Sequence, residues 1–211
     1  MYIAIEGVIG VVKTTLARLL QSSFNAELLM EIFEENPFLS DFYSDRQRYA
    51  FQTQIFFLLS RYHQQRQGVH EALAKNPWLI SDYTFEKDRL FAEVNLQGDE
   101  LEVYYSVHDA LAEKIRKPDL IVYLRANTRV LMQRIAQRDR PYERQMELAY
   151  IDTLNRTYDL RFANKVAQNI LTIDTNQLDF VRNDEDLAVV DQQIRQALKM
   201  APFQEHLPIN L

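Results

Sequence analysis

Two of the chain's four glycines fall within four residues, in Gly7-Val8-Ile9-Gly10-Val11-Val12-Lys13-Thr14-Thr15. The apolar run Tyr2-Ile3-Ala4-Ile5 precedes this segment and the helical stretch Leu16-Ala17-Arg18-Leu19-Leu20 follows it. A strand, a tight glycine loop and a helix N-terminus in that order aim consecutive N–H groups at phosphate oxygens, while a lysine and a hydroxyl-held Mg²⁺ offset the charge. Gly7, Val8, Ile9, Gly10, Val11, Val12, Lys13, Thr14 and Thr15 are therefore expected to bind the phosphates of a nucleotide. The plainer alternative, a chance Gly/Lys/Thr cluster at a helix start, does not account for the strand before it. The pattern Gly-x4-Gly-Lys-Ser/Thr is broken at one place, where Val12 stands for the last glycine. That glycine adopts dihedrals which a β-branched residue resists, so Val12 is expected to cost about 1–3 kcal/mol and to weaken nucleotide affinity or turnover.

With 211 residues, 47% of them hydrophobic, the chain can bury one sizeable core, and no composition shift marks a second domain, so residues 1–211 read as a single domain. A net charge of −6 argues against a broad nucleic-acid surface, and phosphate polymers are not expected as partners. The absence of cysteine excludes disulfides and thiolate metal sites and is neutral on compartment. There is no signal peptide and no span of about 18 apolar residues, so a soluble cytoplasmic protein without membrane partners is the expectation.

Short apolar runs recur at Tyr2–Ile5, Leu28–Ile32, Trp78–Ser81, Leu120–Leu124 and Ile170–Ile173, separated by long segments of helical period. Such alternation predicts an α/β fold with a parallel sheet, helices on both faces and ligands at the strands' C-terminal ends. The longest helical stretch, Asp45 to Ala74, carries more apolar surface than one sheet face needs, which leaves part of it for a second subunit. Pro202-Phe203-Gln204-Glu205-His206-Leu207-Pro208 reads as an irregular tail.

Four constellations carry chemistry. The second strand runs into Glu31-Ile32-Phe33-Glu34-Glu35-Asn36-Pro37, which puts Glu31 at the mouth of the sheet as a candidate general base: a carboxylate in reach of an acceptor hydroxyl orients it and takes its proton. The plainer reading makes all three glutamates solvated charges, and it suits Glu34 and Glu35 better. Asp82, in Ile80-Ser81-Asp82-Tyr83, is a candidate for the Mg²⁺ side, or an N-cap for the helix that begins near Thr84. Arg134, Arg138, Arg140 and Arg144 lie within eleven residues between two helical stretches. A loop of that kind either closes as a lid, neutralising charge on a transferred phosphoryl group and excluding water, or is merely solvated. Tyr49, Phe51, Gln52, Phe56 and Tyr62 either cage a planar heterocycle or pack as core.

Taken together, the residues resemble the deoxynucleoside kinase family, in particular its bacterial deoxyguanosine and deoxyadenosine kinase branch. The matching pieces are Ala4-Ile5-Glu6-Gly7 through Thr15, Glu31 through Leu39, Asp41-Phe42-Tyr43, Phe51-Gln52, Ser81-Asp82-Tyr83 and Arg138-Asp139-Arg140-Pro141-Tyr142-Glu143. The resemblance spans nearly the whole chain. It implies a P-loop kinase on a five-stranded parallel sheet flanked by helices, with an arginine-rich lid at about residues 138–146, usually dimeric. The reaction it implies passes the γ-phosphate of ATP to the 5′-hydroxyl of a deoxynucleoside. By the same resemblance Glu31 is the base, Gln52 pairs with the nucleobase, and Tyr43 and Glu143 hold the sugar 3′-hydroxyl, with Tyr43 crowding the 2′ position. Arg138 and Arg140 are the lid cations, Lys13 and Thr14 serve phosphate and Mg²⁺, and Asp82 is the acid of a Glu/Asp-Arg-Ser motif. Here that acid is followed by Tyr83-Thr84, so the arginine is missing. Asp82-Tyr83-x-Phe85-x-Lys87 is more similar to the deoxyguanosine branch, and Lys87 is a candidate for the lost charge. Two rival readings are a kinase fold disabled at Val12 that only binds nucleosides or regulates a dimer, and a nucleoside monophosphate kinase. The second needs cations near Glu31 for an acceptor phosphate.

Overall fold

The computed structural model describes residues 1–32, 36–144, 146–162 and 169–201. Phe33, Glu34 and Glu35 of the second motif, Gln145 of the lid and the tail from Pro202 lie outside the described residues.

Strand β1, Tyr2–Glu6, is buried at all five positions, as a strand covered on both faces must be. Its side chains alternate: Tyr2 and Ala4 pack with Val69 and Leu79 on one face, while Ile3 and Ile5 join the larger core on the other. It is the centre of a five-stranded sheet ordered β2-β3-β1-β4-β5, in which every pairing is parallel. The others are β2, Glu27–Leu29, β3, Leu79–Ser81, β4, Leu120–Arg125, and β5, Ile170–Asp174. All five apolar runs are thus strands, but β2 starts and stops earlier than its run predicts. It is an edge strand registered from Glu27↔Leu79 to Leu29↔Ser81, and its ladder stops where β3 stops. Met30, Glu31 and Ile32 therefore leave the sheet as a loop over its C-terminal rim.

Helix α1, Lys13–Phe24, follows the phosphate loop directly, α2 is Leu39–Ser44, and α3 is Arg46–Lys75. Asp45 caps α3 by accepting the Arg48 N–H at 3.2 Å. The buried face of α3 is unusually polar, with Thr53, Gln54, Arg61 and Gln65 among Phe57, Leu58 and Tyr62. Side chains of this kind are seldom buried without partners or a ligand to serve. Helices α4, Glu86–Asn95, and α5, Gly98–Ala112, come next, followed by α6, Thr128–Arg138, α7, Leu148–Phe162, and α8, Asp184–Ala197. Between α6 and α7, Asp139 turns left-handed at φ 50° and Pro141–Glu143 form a single 3₁₀ turn, which builds the arginine-rich connection. No described helix is long and apolar enough to cross a membrane.

Candidate active site

The loops at the C-terminal rim enclose a cleft of about 700 Å³ whose walls come from α1, α2, α3, α4, α6 and the connections after β1, β2 and β5. At its floor the phosphate loop is formed. Gly7 and Gly10 have φ of 146° and 89°, and a Cβ would lie 2.5 Å from the Leu124 carbonyl at the first and 2.7 Å from the Leu131 carbonyl at the second. Both positions thus require glycine. Val8 and Val11 are buried and anchor the loop to the core, while Ile9, Gly10, Val12, Lys13, Thr14 and Thr15 face the cleft. Val12 does adopt the glycine conformation, at φ 74° and ψ 30°, while its carbonyl accepts the Leu16 N–H at 3.1 Å. The strain expected of a β-branched residue in this region is therefore present, at about 1–3 kcal/mol. Lys13 Nζ donates to the carbonyls of Gly7 at 2.6 Å and Val8 at 3.2 Å. Burial and then the neighbouring Lys87 bring its pKa down to about 8, against the pull of Glu6, Glu31 and Asp82.

Asp82 ties this floor to the adjoining wall. One carboxylate oxygen accepts the Thr14 hydroxyl at 2.5 Å and the other accepts the Glu31 backbone N–H at 2.8 Å. The alternative role for Asp82, capping α4, is not realised: Phe85 occupies the cap position, with no side-chain cap bond. The Thr14 hydroxyl and Asp82 carboxylate are hard oxygen donors of the kind Mg²⁺ takes. Among the described residues no group of three or more His, Cys, Asp or Glu side chains gathers to hold a metal ion. Such a pair therefore suits an ion that draws its remaining ligands from phosphates and water.

Glu31 is held from two sides. Arg61 Nε donates to its Oε1 at 3.1 Å, with a second bond from Nη2, and Lys87 Nζ lies 2.5 Å from Oε2. Burial would raise the Glu31 carboxyl, but Lys87 and Arg61 outweigh it and hold it well below the usual carboxylate range. The group is thus an oriented anion, ready to accept a proton. Arg61 Nη1 also pairs with the fully buried Asp88 and so joins α3, α4 and the β2 loop.

In the lid, Arg138 makes a two-pronged pair with Glu143, Nη2 to Oε1 at 2.6 Å and Nε to Oε2 at 3.1 Å, and Arg140 Nη1 lies 3.7 Å from the same carboxylate. Glu143 is only 4% exposed, and Tyr142 stacks on Tyr43 with centroids 5.9 Å apart. Tyr43, Arg138, Arg140, Tyr142 and Glu143 all line the cleft. On its far wall Arg134 donates to the carbonyls of Thr175 at 2.7 Å and Leu178 at 3.3 Å, bracing the loop after β5.

The heterocycle wall differs from the sequence reading. Gln52 is exposed and, with Tyr49, Phe51, Phe56 and Tyr62, is absent from the cleft lining; Thr53, Gln54, Phe57 and Arg61 line it instead. Two residues along a helix turn a side chain by about 200°, so Gln52 and Gln54 face nearly opposite ways. The Gln54 side-chain oxygen and Thr53 hydroxyl are buried without partners among the described residues. Gln54, Arg61 and Asp88 were not singled out from the sequence. The signal for Gln54 and Arg61 was a row of polar residues at helical spacing with Gln65, at positions 54, 58, 61 and 65, broken only by Leu58; Asp88 had no such signal.

Comparison with known proteins agrees with this geometry. The family model described as deoxynucleoside kinase matches residues 3–199. Deoxyguanosine kinase of Bacillus subtilis is 34% identical over 201 residues, 93% of this chain and 97% of its own. Deoxyadenosine kinase of Dictyostelium discoideum is 33% identical over 192 residues, 89% of this chain and 76% of its own. Among solved structures, deoxyadenosine kinase from M. mycoides with bound dCTP superposes with a TM-score of 0.78 at 26% identity, covering 93% of this chain and all of that one. With a phosphate loop, a rim carboxylate and an arginine lid arranged on this sheet, and a family match over nearly its whole length, the chain belongs to the deoxynucleoside kinase family.

Proposed function

We propose that the chain transfers the γ-phosphate of Mg²⁺-ATP to the 5′-hydroxyl of a purine 2′-deoxynucleoside, with deoxyguanosine preferred and deoxyadenosine second. The observation that carries this reading is the Asp82 bridge, since one carboxylate holds both the Thr14 hydroxyl of the phosphate loop and the Glu31 backbone. Donor and acceptor chemistry therefore share one corner of the cleft.

Glu31 accepts the hydroxyl proton as the new P–O bond forms; because phosphoryl transfer passes through a loose transition state, a weakly basic but well-oriented carboxylate suffices. Thr14 and Asp82 would hold Mg²⁺, which when bound neutralises charge on the phosphates. Lys13 and the loop N–H groups grip the donor, with its base lying towards Arg134 and residues 176–182. Arg138 and Arg140 offset charge from the lid side, and Lys87 adds a cation where Tyr83 provides none, the Tyr83 hydroxyl being spent on Gln64. Tyr43 and Glu143 hold the 3′-hydroxyl, and Tyr43, stacked on Tyr142, is the residue that crowds the 2′ position as the family resemblance implies. The base pairs with Gln54 rather than Gln52. The preference for guanine rests on the Asp82-Tyr83-x-Phe85-x-Lys87 pattern and on the B. subtilis relative's name.

A monophosphate kinase needs net positive charge at Glu31 for an acceptor phosphate; Arg61 and Lys87 are there, but the carboxylates of Glu31 and Asp88 beside them oppose an anionic acceptor. We further propose that the protein works in the cytoplasm as a homodimer, for which the exposed Leu59 on α3 and Val103 on α5 offer apolar surface.

Formation of deoxyguanosine 5′-monophosphate from γ-labelled ATP, abolished by EDTA and restored by Mg²⁺, tests the reading. No transfer to any deoxynucleoside would contradict it and favour the alternative that Val12 disables the loop. Val12→Gly is expected to raise kcat/KM for ATP by up to about tenfold to a hundredfold, since 1.4 kcal/mol is a factor of ten. An unchanged kcat/KM together with a higher Tm would place the strain in folding alone. Gln54→Ala is expected to lower kcat/KM for deoxyguanosine by about 1–3 kcal/mol, roughly 5- to 150-fold, through loss of a two-point contact in a buried site. Gln52→Ala is expected to leave it unchanged; the reverse result would return the base to Gln52.

A further inference from the structure

Glu6, the last residue of β1, is 0% exposed, an expensive place for a carboxylate unless its oxygens are bonded. An apolar residue would serve the packing there at lower desolvation cost. Its two oxygens serve different loops. Oε2 accepts the Gly7 N–H at 3.1 Å, where the phosphate loop begins. Oε1 accepts both the N–H and the hydroxyl of Thr84, at 2.6 and 2.7 Å, in the turn between β3 and α4. Bonds to an ionised acceptor are roughly twice as strong as neutral ones.

Both loops carry catalytic groups one bond further on. The Gly7 carbonyl accepts Lys13 Nζ at 2.6 Å. The Thr84 carbonyl accepts the Lys87 N–H at 3.3 Å, which seats the lysine whose Nζ lies 2.5 Å from Glu31. Asp82, two residues before Thr84, holds Thr14.

We propose that Glu6 is a positioning residue for phosphoryl transfer: its carboxylate locks the phosphate loop to the β3–α4 turn, so that the donor phosphates and the Lys87–Glu31 pair meet in one fixed geometry. The proposal rests on the kinase reading above. Burial raises the Glu6 carboxyl above its ordinary range, and Lys13 and Lys87, the two lysines it helps to place, pull against that rise. Small displacements of reacting groups cost on the order of 10²-fold in rate without weakening binding in proportion.

Steady-state kinetics of the full chain, with Tm measured for each variant, provide the test. Thr84→Val removes one of the three donors to Glu6, and Thr84→Ser keeps it. Thr84→Val is expected to lower kcat on the order of 10²-fold while both KM values move by less than about threefold, and Thr84→Ser to restore kcat. Glu6→Gln, which keeps an acceptor for Thr84 but turns an amide donor towards the Gly7 N–H, is expected to lower kcat as far. The double variant Glu6→Gln/Thr84→Val should be no worse than Glu6→Gln alone, since either change breaks the same link between the two loops, Glu6→Gln at its Gly7 end and Thr84→Val at its Thr84 end. Should Glu6→Gln not fold, the threonine pair still decides. Wild-type kcat in Thr84→Val, a change in KM alone, or failure of serine to rescue would each overturn the proposal. A wild-type chain that transfers no phosphate would overturn the kinase reading itself, a distinct outcome.

Discussion

Glu31→Gln is expected to lower kcat by about 10²–10⁴-fold, the usual cost of removing a general base, with little change in the deoxynucleoside KM. Glutamine keeps the shape and one acceptor oxygen, so the hydroxyl can still be held but its proton has nowhere to go. The change also removes an anion that Arg61 and Lys87 share. Arg61 retains Asp88, so the chain is expected to stay folded with a lower Tm. Measuring kcat and Tm together separates the two effects. If Glu34→Gln or Glu35→Gln proved crippling and Glu31→Gln did not, the base would lie further along that motif.

Arg61→Met is expected to cost about 3–5 kcal/mol of stability, the penalty for leaving a buried charge without its partner. Asp88 is fully buried, its Oδ1 pairs with Arg61, and its Oδ2 has no partner among the described residues. At roughly 2–4 °C per kcal/mol for a chain of this size, Tm should fall by about 10 °C. The sign of the pH dependence follows from linkage. Burial already raises the Asp88 carboxyl against the opposing pull of Arg61, and without that guanidinium the folded chain holds a proton there that the unfolded chain has released. The stability of the variant relative to wild type should therefore be fully retained only in acid and fall as pH rises through the carboxylate range towards neutrality. A deficit that stayed flat between about pH 5 and pH 8 would show that losing Arg61 leaves the protonation of Asp88 unchanged, against this account.

The sheet was legible because each strand is an apolar run too short for a helix, rich in β-branched residues or leucine and bounded by segments of helical period. Glu31, Asp82 and the lid arginines were legible because they stand where strands or helices end, so their position follows from the elements. The helix wall was not. Gln52 and Gln54 are both glutamines on one helix, and which faces the cleft depends on the helix's rotation about its axis, which is fixed by burial of Ala50, Leu58 and Tyr62 in a core built from distant segments. The Arg61–Asp88 and Lys87–Glu31 pairs join residues 27 and 56 apart in sequence, and no local pattern announces such a bond. Glu6 was legible as part of a motif, but its role needs Thr84, 78 residues away.

Competition among deoxyguanosine, deoxyadenosine, deoxycytidine and thymidine at equal concentration, with Mg²⁺-ATP and the purified full chain, tests the central claim most directly. Deoxyguanosine 5′-monophosphate is expected to form fastest, deoxyadenosine 5′-monophosphate next, and guanosine added in place of deoxyguanosine is expected to react poorly. Preferential phosphorylation of thymidine, or equal use of guanosine and deoxyguanosine, would contradict it.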